Sequence, residues 1–128
     1  MLTSVVRGSW RLRPTVLVAA SWTLWATVHT RRKLAAGIVS PLVRRPPALP
    51  ASAGIGVDAA LTRLRATCLE SALVRQRWLA SHGVERDIVI ALPATDFGDT
   101  PAHAWLDGID REPVEEHVEI HRLVVRQI

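Results

Sequence analysis

Apolar positions change their spacing several times along this 128-residue chain, and each change predicts an element. From Thr15 to Val28 they form a nearly unbroken run, with Arg7, Arg11 and Arg13 before it and Arg31, Arg32 and Lys33 after it. The run is shorter than the ~20 residues of a membrane span, and no clean small-x-small cleavage signal follows it. It therefore predicts a packed helix, with contact to a membrane surface as the rival expectation. Residues 41 to 56, with four Pro and two Gly, read as a linker. Asp58 then offers an N-cap for a helix over about Ala59 to Arg65, with Leu61 and Leu64 on its apolar side.

The segment from Thr67 is the most explicit. Thr67 and Glu70 have the spacing of a capping box, which makes Cys68 the first helical residue. Leu69, Ala72, Leu73, Leu79 and Ala80 follow a period close to 3.6, and Gly83 supplies the stop, so a helix is predicted over 68–82. Beyond it the spacing shortens. The β-branched run from Asp87 to Leu92 predicts a buried strand, residues 93–101 a loop, Ala102 to Asp107 a second strand, Gly108 to Pro113 a turn, and Val114 to Val125 a third strand. Helices first and strands after them predict an α+β class, an antiparallel sheet lying against the central helix.

Composition narrows this picture. An apolar share of 48 % and five Trp suffice for one core, and the length is that of one compact domain. Within it, residues 1–50 are expected to be an N-terminal helical region and 51–128 the core that carries the chemistry. A single Cys excludes an internal disulfide and fits either a reducing compartment or a thiol kept free for chemistry. The net charge of +4 conceals an asymmetry: residues 1–57 hold eight Arg/Lys and no Asp/Glu, whereas 83–128 hold ten Asp/Glu and four Arg. A basic first third fits a solvated helix face or an acidic partner. Nucleic acid is not expected, because stacking aromatics are not interleaved with the basic residues and no binding motif accompanies them.

Candidate chemistry gathers on two residues. Most lone Cys residues are small buried hydrophobes, but a Cys at a helix start faces free N–H groups and the positive end of the helix dipole, which favour a thiolate and can hold an oxyanion. On the second strand, alternation places His103, Trp105 and Asp107 on one face. If that face is the inner one, His103 can meet the helix start and form the thiol–imidazole pair of acyl transfer. His117, Glu119 and His121 also share a strand parity that could hold zinc, although a solvated edge explains them as well. His29 and His82 have no partner legible in the sequence.

In order and spacing, Cys68-Leu-Glu-Ser-Ala-Leu73, Arg77-Trp-Leu79, Gly83-Val84, Ile88-Val-Ile90 and His103-Ala-Trp105 resemble the transglutaminase-like core of lasso-peptide maturation peptidases, the B2 or microcin J25-processing proteins. The resemblance covers about residues 58–123, and the basic, apolar region before them is similar too. It implies a papain-like fold and a Cys-His-acid triad with Cys68 as nucleophile and His103 as base. The implied activity is cofactor-free removal of the leader from a ribosomally made precursor. A precursor peptide, a separate leader-recognition protein and a macrolactam-forming synthetase are the implied partners, in a cytoplasmic setting with membrane association through residues 15–28 as the variant. The chain departs from the family where Leu106-Asp107-Gly108 replaces the usual Val-Glu pair and the next turn is longer by about a residue. That leaves the acid open. Asp107 stands four residues from His103, ~13 Å along a strand, too far to orient the imidazole. A hairpin centred near Ile109 or Asp110 would bring residues 116–118 opposite His103, and Glu116 shares the parity of Val118 and Ile120, so Glu116 is the first choice. Glu119 and Glu115 stand on the other parity and follow it, since a one-residue slip exchanges the faces.

Overall fold

The computed structural model of the chain describes residues 13–38, 41–93, 103–108 and 117–124. Helix α1 spans Pro14–Ala35, a 3-10 turn Ala51–Ala53 leads into α2 at Gly54–Arg63, and α3 spans Cys68–Ala80. Three strands follow: β1 (Ile88–Pro93), β2 (His103–Leu106) and β3 (His117–Leu123). The helices precede an antiparallel sheet, as the pattern of apolar positions predicts for an α+β chain.

Pro14 sits in the first turn of α1, where its fixed φ suits the helix and its missing N–H costs nothing. Arg32 and Lys33 occupy the last turn, on the negative end of the dipole. Gly37 (φ 88°) then stops the helix, with Ile38 N–H donating to Lys33 O and Gly37 N–H to Leu34 O. At 22 residues α1 is ~33 Å long. It is the packed helix expected from residues 15–28: Val16, Ala19, Trp22, Thr23, Ala26, Thr27 and Thr30 are buried at helical spacing. Among the described residues no helix is long and apolar enough to cross a membrane. The outer side of α1 carries Leu17, Val18, Leu24 and Trp25 exposed, and an apolar groove of about 400 Å³ lies between α1 and α2.

Helix α2 begins earlier than Asp58 would have it. Gly54 and Gly56, read as linker residues, lie inside the helix, and Asp58 is in its interior. The reason is packing. A Cβ at Gly56 would overlap the Val16 carbonyl oxygen, so the glycine lets α1 and α2 approach backbone to backbone. The remaining linker is tied down by its own carbonyls. Trp22 Nε1–H donates to Arg44 O (3.2 Å), Lys33 Nζ donates to Leu42 O (3.1 Å), and His82 Nε2 lies 2.8 Å from Leu49 O.

The core runs from α1 through α3 to the sheet. Trp22 and Trp78 meet at 6.0 Å between ring centroids, joined by Val57, Leu61, Leu73, Val74, Ile88, Leu106 and Leu123. In α3 the expected capping box is present in full, and its end is the expected glycine stop: Gly83 has φ 80°, Val84 N–H donates to Leu79 O and Gly83 N–H to Ala80 O.

The sheet order is β2-β1-β3. This corrects the expected hairpin between the last two strands, because β3 pairs with β1 and not with β2. The physical reason lies in β1. Ile88, Val89 and Ala91 are all buried, so both faces of this strand are covered, and the central position is the one that gives a continuous apolar strand two hydrogen-bonded neighbours. Across the sheet the rows read Leu106–Ile88–Leu123, Trp105–Val89–Arg122, Ala104–Ile90–His121 and His103–Ala91–Glu119, with a bulge in the β1–β3 pairing between Ile90 and Ala91.

Candidate active site

Cys68 is exposed and opens α3. Its turn is built by the residues on either side. Thr67 Oγ1 accepts from Glu70 N–H (3.2 Å), and Glu70 Oε1 accepts from Thr67 N–H (2.9 Å), which satisfies two orphan donors of the helix start reciprocally. Cys68 lies between them, at the positive end of the helix dipole.

Sequence reasoning missed a third participant. Arg31, on α1, donates from Nε to Glu70 Oε2 (3.0 Å) and from Nη2 to Glu70 Oε1 (3.0 Å), a bidentate fork, and Nη2 also donates to Leu64 O (3.2 Å). The Glu70 side chain is 5 % exposed and that of Arg31 46 %. Burial pushes the Glu70 carboxyl up. The hydrogen bonds from Arg31 and Thr67, with the charge of Arg31, outweigh burial and hold it below the usual carboxylate range. The same pairing raises Arg31 further.

His103 opens β2, at the edge of the sheet and exposed. Ala104 and Leu106 are the β2 residues that join the core cluster, and the rows Trp105–Val89 and His103–Ala91 are buried at their centres, Val89 and Ala91. Gln76 Nε2 donates to Arg86 O (2.8 Å) and Leu123 O (3.1 Å), fixing the row of Ile88 beside the second half of α3. From Gln76, Cys68 lies two helical turns back, ~12 Å. From that row His103 lies three strand residues away, ~10 Å. The two residues thus begin their elements at matched distances from one anchor.

The candidate acids separate. Glu115 and Glu116 lie outside the described residues. The hairpin that would set Glu116 opposite His103 is replaced by the β1–β3 pairing. Glu119 instead takes the row of His103, with Ala91 between them. Asp107 is engaged elsewhere: its Oδ2 accepts from Arg122 Nη1 at 2.9 Å, and Asp87 shares the same guanidinium at 3.4 Å. For the zinc alternative, the backbone register pairs His121 with Ile90, Glu119 with Ala91 and His117 with Pro93, and the three side chains themselves lie outside the described residues. Among the described residues no cluster of three metal-ligating side chains occurs.

His82 gains the partners that its sequence context withheld. Nδ1 lies 2.9 Å from Trp78 O and Nε2 2.8 Å from Leu49 O, with the ring against Trp78 at 4.6 Å between centroids. It ties the end of α3 to the linker and is a structural residue.

No curated protein and no solved structure matches the chain. The family model of the transglutaminase-like superfamily matches residues 14–125, from the first turn of α1 past the end of β3. Helix α1, the helix that opens on Cys68 and the sheet that begins its second strand on His103 all fall inside the match, and the chain belongs to the transglutaminase-like superfamily.

Proposed function

We propose that this chain is a cysteine peptidase that removes the leader from a ribosomally made lasso-peptide precursor, with Cys68 as nucleophile and His103 as base. The observation that carries the reading is the exposed Cys68 at the first position of a fully capped helix. Membership of the superfamily and the ordered motifs from Cys68 to Trp105 support it. In this mechanism His103 takes the thiol proton and the thiolate attacks the carbonyl carbon at the end of the leader. N–H groups of the first turn of α3 receive the oxyanion. The tetrahedral intermediate collapses, His103 protonates the departing amine of the core peptide, and a thioester links the leader to Cys68. Water, deprotonated by His103, then hydrolyses the thioester and returns the thiol.

The imidazole needs an acid to fix its tautomer and stabilise its charged form. The proposed acid comes from the C-terminal segment: Glu116, or Glu119 on the row of His103. The register favours Glu119, whose Cα lies two strand spacings, ~9.6 Å, from that of His103 across the small Ala91. The proposed partners are the precursor peptide, a separate leader-recognition protein and a macrolactam-forming synthetase.

Reconstitution tests the whole reading. The purified protein is incubated with the precursor and the leader-recognition protein, and the fragments are weighed by mass spectrometry. A single cut at the leader–core junction, blocked by thiol alkylation, is the expected result. Capture of the precursor without cleavage would show a peptide-binding module in place of a peptidase.

A further inference from the structure

A capping box beside a nucleophilic Cys has a built-in conflict. The box requires an acid at the third helical position, and here Glu70 stands two residues from Cys68 on the same turn. A carboxylate there opposes a second negative charge on the sulfur. The helix dipole favours the thiolate, and the carboxylate that completes the cap works against it. The conflict has an answer in α1: Arg31, 39 residues earlier, closes a two-bond fork on that carboxylate and reaches Leu64 O on the connection into α3.

We infer that Arg31 is a positioning residue for the Cys68 turn, cancelling the charge of the capping carboxylate so that the turn can stabilise a negative sulfur. The inference rests on Cys68 being the nucleophile. It assigns the N-terminal helix a part in the chemistry at a distance, although Arg31 touches no reacting atom. The charge carries the effect, and the fork fixes where the carboxylate sits. Two parallel N–H···O bonds hold the Glu70 carboxylate in the plane that also accepts from Thr67 N–H, so cap and counter-charge are locked together. The charged side chains nearest the turn in sequence are Arg63 and Arg65 before it and Glu70 within it, and Arg31 is brought to it from α1.

The chain has one Cys, so alkylation by iodoacetamide reads this turn alone. The rate is measured against pH for the full-length protein, for Arg31→Ala, for Glu70→Gln and for the pair combined. For Arg31→Ala the profile is expected to move about one pH unit upward, or about tenfold slower near neutrality. Arg31→Ala with Glu70→Gln is expected to return most of the way, because the carboxylate to be cancelled is gone. A purely structural role predicts the opposite order, with the double variant at least as perturbed as the single. An unmoved profile in Arg31→Ala, or no return in the double variant, would overturn the inference. Should Arg31→Ala fail to fold, Arg31→Lys, which keeps the charge and loses the fork, is expected to stay within a few tenths of a pH unit of the parent. A full one-unit shift in that folded variant would equally overturn the charge argument. Because the readout is alkylation and not cleavage, a negative result here is distinguishable from failure of the peptidase reading, which is tested on the precursor.

Discussion

At the residue scale, the cap of α3 and the Arg31–Glu70 pair set the behaviour of the molecule. Thr67→Ala removes the side chain that accepts from Glu70 N–H and should lower stability by about 1 kcal/mol in chemical denaturation. Glu70 adds a pH signature. Its carboxyl is held below the usual range in the folded chain, so its pairing contributes in full above the ordinary glutamate value, about 4.3, and the contribution is lost as pH falls through the folded value. Denaturation midpoints should therefore drop below that pH, and Glu70→Gln should make the drop shallower; an unchanged slope in that variant would remove the linkage. The capping spacing makes Cys68 at a helix start legible in the sequence, because the signal is local. The fork from Arg31 is not legible there, because it joins positions 39 apart and nothing in the local spacing of either marks the other.

At the element scale, the lesson comes from a glycine and a sheet edge. Gly54 and Gly56 look like linker residues beside four prolines, yet they lie in α2 because α1 needs the space above Gly56. Gly56→Ala should cost about 1–3 kcal/mol through overpacking, against the gain of a few tenths to 1 kcal/mol expected if the residue were an ordinary helical glycine; a thermal melt decides the sign. The three strands are legible from their apolar runs, but their order is not. Neighbours in sequence suggest a hairpin, whereas β1, apolar on both faces, takes the centre and the other two strands flank it. That rearrangement, with the bulge between Ile90 and Ala91, carries Glu119 to the row of His103. Glu119→Gln is accordingly expected to lower the turnover rate at least tenfold with little change in substrate binding, and Asp107→Asn, whose carboxylate serves Arg122, to change it little. A strong loss in Glu116→Gln with none in Glu119→Gln would assign the acid to Glu116.

At the scale of the whole molecule, α1 is part of the core and not an appendage to it. Val16, Ala19, Trp22 and Ala26 are buried with residues of α2 and α3, and the family match begins at residue 14. Removing residues 1–50 should expose the other side of that packing, around Val57, Leu61 and Trp78, and yield insoluble protein. A soluble and active truncated chain would show that the remaining residues form a core of their own. The central claim is that Cys68 performs the cleavage, and one comparison tests it most directly. Wild-type protein and Cys68→Ala are assayed side by side on the leader-bearing precursor, after matched thermal melts show that both are folded. The account predicts a fall in the cleavage rate of about 1,000-fold or more for Cys68→Ala. Cleavage at the wild-type rate by the folded Cys68→Ala protein would contradict it.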